Sequence, residues 1–168
     1  MKSIKRDRFG HLSGRWRQAG QSIIEVLIAT GVVALVMTAV MAAMTLSLQN
    51  SAQAKYRSLA TKLAQDGMEN LRQFRTSLGW EAFYQILSDQ GSGTYCLNSL
   101  PTNETQLASL ESGACETYGI SRGGVNFKRE LMLDIVSSDK ISLQITTTWV
   151  DGNRTHHSLI KQELQSWR

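Results

Sequence analysis

Gly20-Gln21-Ser22-Ile23-Ile24-Glu25, followed by the run from Val26 to Leu46, is the stretch that decides the fold. The run has 21 residues, with no charge and no proline, and only Thr30, Thr38 and Thr45 carry hydroxyls. As a helix rising about 1.5 Å per residue it would cover about 31 Å, close to the hydrocarbon thickness of a bilayer. A helix in the core of a soluble bundle needs a polar outer face, and this run has none. It reads as a membrane span. Glu25 stands at its N-terminal edge, where a carboxylate must reach the interface or find a partner.

Residues 1–20 hold Lys2, Lys5, Arg6, Arg8, Arg15 and Arg17 against Asp7, a local charge of +5 in a chain whose net charge is +4. The rest is therefore slightly acidic, and the basic pI belongs to the leading segment. That removes the composition argument for a nucleic-acid binder and leaves a nucleic-acid partner unassigned. The same cluster is the positive-inside signature, which puts residues 1–20 on the cytoplasmic side and everything after Leu46 outside the cytoplasm.

The pattern around Gly20 resembles the processing site of type IV pilins and pseudopilins: a glycine, then residues ending in Ile23-Ile24, then Glu25 and an apolar helix. The resemblance implies cleavage between Gly20 and Gln21 by a prepilin peptidase. It also implies methylation of the new Gln21 terminus and pairing of Glu25 with a neighbouring subunit's terminal amine during assembly. Residues 1–20 would then be a leader that is removed. The implied partners are other pilin subunits, the peptidase, an inner-membrane assembly platform and membrane lipid before assembly. The implied location is first the cytoplasmic membrane, single-pass, and then a surface filament. Gln21 replaces the family's usual phenylalanine, and Ala42 stands where major pilins often have proline. These are departures from the family pattern; Gln21 argues against a major pilin and leaves a minor pilin, and a pseudopilin of a type II secretion system is the alternative. An ammonium and a carboxylate forced together into apolar surroundings attract more strongly than in water.

Two readings compete from outside the family. One is an ordinary secretory signal with a small-residue site at Val40-Met41-Ala42, but the apolar run exceeds the 7–15 residues of such a segment. The other is a membrane-anchored extracytoplasmic binding domain that never polymerises, for which Glu25 is incidental.

After Leu46 no stop signal intervenes. Tyr56, Leu59, Ala60, Leu63, Gly67, Leu71, Phe74 and Leu78 recur every three or four residues, one apolar stripe on a helix. Lys55, Arg57, Lys62, Asp66, Glu69, Arg72 and Arg75 lie between them, with Lys62/Asp66 and Glu69/Arg72 at pairing distance along a helix. The expectation is one helix from about Ser22 to Ser77, apolar throughout over 21–46 and amphipathic over 47–78. Gly67 should weaken it by about 1 kcal/mol relative to alanine, which suggests that another element approaches closely there.

A globular head is expected over 79–168. Gly79 breaks the helix, and Trp80 to Leu87 reads as a short helix with an aromatic face. Residues 88–124 are rich in Gly, Ser, Asn and Thr and contain the only proline, Pro101, which reads as a long, mostly irregular loop with short strands near Tyr95 and Tyr118. Cys96 and Cys115 are the only cysteines. In an oxidising compartment an isolated pair of this kind reads as a disulfide, worth about 3 kcal/mol for a loop of about 20 residues. The alternatives are two free thiols or a bond between subunits.

From Val125 the period changes to two. Val125, Phe127, Leu131, Leu133 and Ile135 share one face; Ile141, Leu143, Ile145, Thr147 and Trp149 share another run's inner face. Ser138-Asp139-Lys140 and Asp151-Gly152 read as turns, and Thr155 to Leu164 follows as a strand of unclear parity. Trp167 is read as capping the edge of the core. The fold class is α+β: a long N-terminal helix packed on a C-terminal antiparallel sheet of three to four strands over 125–168. No catalytic motif is present. His156 and His157 are adjacent and so point to opposite faces of a strand, His11 lies in the leader, and Asp134, Asp139 and Asp151 have no third acidic neighbour in sequence. The chain is read as a structural part rather than an enzyme, with no cofactor and no metal.

Overall fold

The computed structural model describes residues 19–166, with side chains from residue 23 onward. The leader expected over residues 1–20 falls largely outside that range, as does Trp167. A single helix, α1, runs Ala19–Leu78, matching the expected helix at its C-terminal end. It is shared by two compact units, one ending at Gln49 and the other starting at Asn50.

In the first unit every described residue from Ile23 to Gln49 is exposed. The three threonines bond back onto their own helix. Thr30 Oγ1 donates to Val26 O at 2.9 Å, Thr38 Oγ1 to Leu35 O at 2.9 Å and Thr45 Oγ1 to Met41 O at 2.6 Å. A hydroxyl satisfied in this way needs no water.

In the second unit α1 presents the expected stripe to the sheet. Ala60, Leu63, Ala64, Met68 and Leu71 are buried, and Tyr56, Leu59, Phe74 and Leu78 pack at its margins. The charged residues between them are exposed, except Arg75, which is half-buried. Glu69 and Arg72 form the expected pair at 3.4 Å. Gly79 takes φ +80° and starts α2, Trp80–Gln90, three residues longer than the expected Trp80–Leu87. Phe83 and Leu87 enter the core.

The sheet has six strands, a correction to the expected three to four. They are β1 Gly93–Cys96, β2 Glu111–Ser112, β3 Ile120–Arg122, β4 Val125–Ser137, β5 Lys140–Asp151 and β6 Arg154–Gln165, with a one-turn helix α3, Glu104–Leu107, between β1 and β2. All pairings are antiparallel in the order β2-β1-β4-β5-β6. β3 shares the β1 side of β4, pairing Ile120 with Phe127, while β1 pairs Cys96 with Glu130 further along. The three long strands are the meander expected over 125–168. The three extra strands are two to four residues long, too short for an alternating pattern. β1 and β3 form because thirteen-residue β4 offers an edge of backbone donors and acceptors that must be paired, and β2 pairs in turn with β1. Only nine residues of the stretch 88–124 enter these strands, so it is mostly irregular as expected, with β1 containing Tyr95 and β3 starting two residues after Tyr118.

Both expected turns form. Asp151 pairs with Arg154 around Gly152-Asn153, with Gly152 at φ +59°, the left-handed conformation such a two-residue turn requires. The inner faces of β4 and β5 follow the predicted parity, with Phe127, Leu131, Leu133, Ile141, Leu143, Ile145, Thr147 and Trp149 buried. β6, whose parity the sequence leaves unclear, turns His156, Ser158, Ile160, Gln162 and Leu164 inward. Several of these are polar because they meet polar groups of α1: Ser158 Oγ lies 2.9 Å from Thr61 Oγ1, and Arg72 Nε donates to Gln162 Oε1 at 2.8 Å.

Candidate functional site

The residues singled out by sequence fall on two parts of the molecule. Gly20 and Gln21 lie within the bounds of α1, and their side chains are outside the described residues. Glu25 is on α1 and exposed, and the next charge along the chain is Lys55, after 29 uncharged residues. From Val26 to Leu46 the surface is apolar on every side, with Leu27, Leu35, Met41 and Met44 each more than 60% exposed. Within it the most hydrophobic 18-residue window has none of its residues buried, and the helix is long and apolar enough to cross a membrane. An uninterrupted apolar surface of this extent marks a membrane or protein contact. Chemically it can do two things, dissolve in lipid or pack against like helices, and in either medium Glu25 would be its only described charge.

The second part is the disulfide. Cys96 and Cys115 are joined, which decides against the alternatives of free thiols or an intersubunit bond. Cys96 ends β1, and the loop it closes returns along β4. The Cys115 N–H donates to Glu130 Oε1 at 3.1 Å, and Lys128 Nζ pairs with the same oxygen at 2.9 Å. Inside the closed loop Leu97 and Leu107 are fully buried, so it is anchored by apolar contacts as well as by sulfur. Its surface carries an open groove of mixed character, lined by Asn98, Gln106, Glu111 and Glu116 as well as Leu100 and Leu110.

Sequence reasoning missed Arg129, which shares the inward parity of β4 yet was assigned to neither face. It is 3% exposed. Its Nε donates to Leu97 O at 2.8 Å and its Nη1 to Leu63 O at 2.8 Å, so one guanidinium ties α1 to the residue after the disulfide. Its backbone N–H also donates to Asn98 Oδ1 at 3.0 Å. Burial pushes its pKa down to about 10, partly opposed by the charge of Asp66, so it stays cationic at neutral pH. Gly67 makes the clamp possible. A Cβ there would lie 3.0 Å from Ile145 Cδ1 and 3.2 Å from Arg129 Cδ, which is the close approach expected from the sequence. The available signal was the glycine itself, together with a basic residue at an inward strand position.

The histidines behave as expected of a strand. His156 stacks on Trp149, with ring centroids 5.3 Å apart, while His157 is exposed. Asp139 and Asp151 lie at opposite ends of β5, and among the described residues no group of three or more His, Cys, Asp or Glu side chains is placed to hold a metal ion. Compared with family models, curated proteins and solved structures, the chain matches none of them.

Proposed function

We propose that this chain is a minor type IV pilin, a low-copy structural subunit made with a leader, held in the cytoplasmic membrane and incorporated into a filament through the first half of α1. The observation that carries the reading is the conjunction of Gly20, Gln21 and Glu25 with a helix surface exposed on all sides over residues 23–49. Such a surface has to be covered, by lipid before assembly and by other apolar helices afterwards. Packing, rather than a further hydrophobic gain, drives the exchange between the two. In this reading Glu25 receives the neighbouring subunit's terminal amine, cleavage falls after Gly20, and Gln21 is the methylated terminus. The disulfide-braced head and its six-stranded sheet form the outward part of the subunit. A pseudopilin of a secretion system shares all these features.

Two substitutions test the reading in native membranes. Gly20→Ala should leave a full-length precursor that does not assemble. Glu25→Ala should be processed normally yet fail to enter filaments. A mature-length product from the first variant would remove the peptidase assignment. Unaltered partners for the second would favour a membrane-anchored domain that does not polymerise. Intact mass should show a chain starting at Gln21, heavier by one methyl group and lighter by the two hydrogens of Cys96–Cys115.

A further inference from the structure

From Asn50 to Ser166 the chain carries eleven basic and twelve acidic residues, so the second unit is close to neutral in sum. The fold separates those charges. The segment 76–121 contains Glu81, Asp89, Glu104, Glu111 and Glu116 and no lysine or arginine. At the end of the sheet where α1 contributes Tyr56 to Leu63, the charges are of the opposite sign. Two turns meet there, the β3–β4 turn after Arg122 and the β5–β6 turn before Arg154, because Phe127 and Trp149 pair with each other and pack on Ala60 and Leu63. The β3–β4 turn lies against α1: a Cβ on Gly123 would be 2.9 Å from Leu59 Cδ1 and 3.7 Å from Lys55 Cε. Lys55, Arg57, Arg122 and Arg154 are all exposed at or near this end, against one carboxylate, Asp151. The turn tips between them are Gly123-Gly124 and Gly152-Asn153, so the arginines are the longest groups that the turns present.

We propose that this cationic end docks on the phosphate head groups of an anionic bilayer surface while the subunit is unassembled; the inference rests on the membrane-held state of the proposed function. Charge complementarity is the argument: near an anionic surface each lysine or arginine favours the docked state by about five-fold. The acidic segment 76–121 is repelled by the same surface, which selects the end that faces it.

The test uses the full chain reconstituted into vesicles of phosphatidylcholine alone or with one-third phosphatidylglycerol, with amide hydrogen exchange followed by mass spectrometry. Residues 120–126 and 150–156 should exchange at least five-fold more slowly in the anionic vesicles, while residues 108–113 remain unchanged. The protection should disappear at high salt in the native chain and in the Lys55→Glu/Arg122→Glu/Arg154→Glu variant. Equal exchange in both lipids, or slowing that survives salt and the charge reversal, would overturn the proposal. Protection in neutral vesicles that grows with protein density would assign this end to a subunit contact and overturn it likewise. A chain that does not float with neutral vesicles would overturn the membrane-held state itself, and the docking with it, before any exchange is measured.

Discussion

The two halves of α1 are the same backbone element in two different environments. From Ile23 to Gln49 each described residue is exposed, and no face differs from any other. From Tyr56 to Leu78 one stripe is buried and the charges lie outside it. The first half resembles a core turned inside out, apolar and exposed all round; the second half carries its own core and a wet face. A substitution should therefore register in the head's stability only when made in the second half.

That contrast is broken most severely by comparing one leucine in each half. Leu71→Ala removes a fully buried side chain and should cost about 2–5 kcal/mol. Leu35→Ala, at a residue 72% exposed, should leave the head unchanged. Denaturant unfolding in mild detergent, followed by near-ultraviolet circular dichroism, separates the two, and equal losses would mean that the halves share one core. Replacing both Cys96 and Cys115 by serine should lower stability by about 3 kcal/mol, again only in the head, with melting of the apolar half unaffected.

The glycines sharpen the comparison at smaller scale. At Gly31 a Cβ would meet nothing within 4 Å, so Gly31→Ala should be neutral or add up to about 1 kcal/mol of helix stability. At Gly67 the same change gains that propensity but presses on Ile145 and Arg129. A net loss of about 1 kcal/mol is expected, because one obstacle is a buried guanidinium already committed to two carbonyls. The smallest effect is electrostatic. The Glu163 carboxyl is held below its ordinary value, first by its hydrogen bond from Lys140. Its lower folded-state pKa means that this contribution is present above the ordinary carboxyl value and is lost as pH falls through the folded one. Glu163→Gln should slightly flatten the acid limb of a melting-temperature profile between about pH 5 and 3 and leave neutral pH unchanged; an unaltered limb would mean that the pair contributes nothing.

Much of this architecture could be read directly because it rests on long periodic patterns. The absence of charge over 26–54, the stripe ending at Leu78 and the alternation in β4 and β5 each repeat often enough to outweigh local exceptions. The disulfide followed from the isolation of Cys96 and Cys115 in a chain expected outside the cytoplasm. Short strands were expected near Tyr95 and Tyr118, where β1 and β3 form, but β2 was not, since two residues carry no period. Gly123-Gly124, with φ of +60° and +84°, was nevertheless a usable hairpin signal between Arg122 and Val125. The parity of β6 was obscured because its inward residues include Ser158 and Gln162, which meet the hydroxyl of Thr61 and the guanidinium of Arg72.

The amino-acid sequence alone determined the apolar span, the break at Gly79, the inward faces of the two longest strands and the residues on which the pilin resemblance rests. These depend on neighbours along the chain and on the solvent each face must meet. Only the tertiary structure decided that Arg129 is buried, that Gly67 makes room for it, and that β4 recruits β1 and β3, with β2 added on β1. It also brought Lys55, Arg122 and Arg154, far apart in sequence, to one end of the head. The reason is physical in each case: unpaired backbone groups, a buried charge and a crowded helix face are satisfied by whatever the fold brings near, and sequence spacing does not encode that distance.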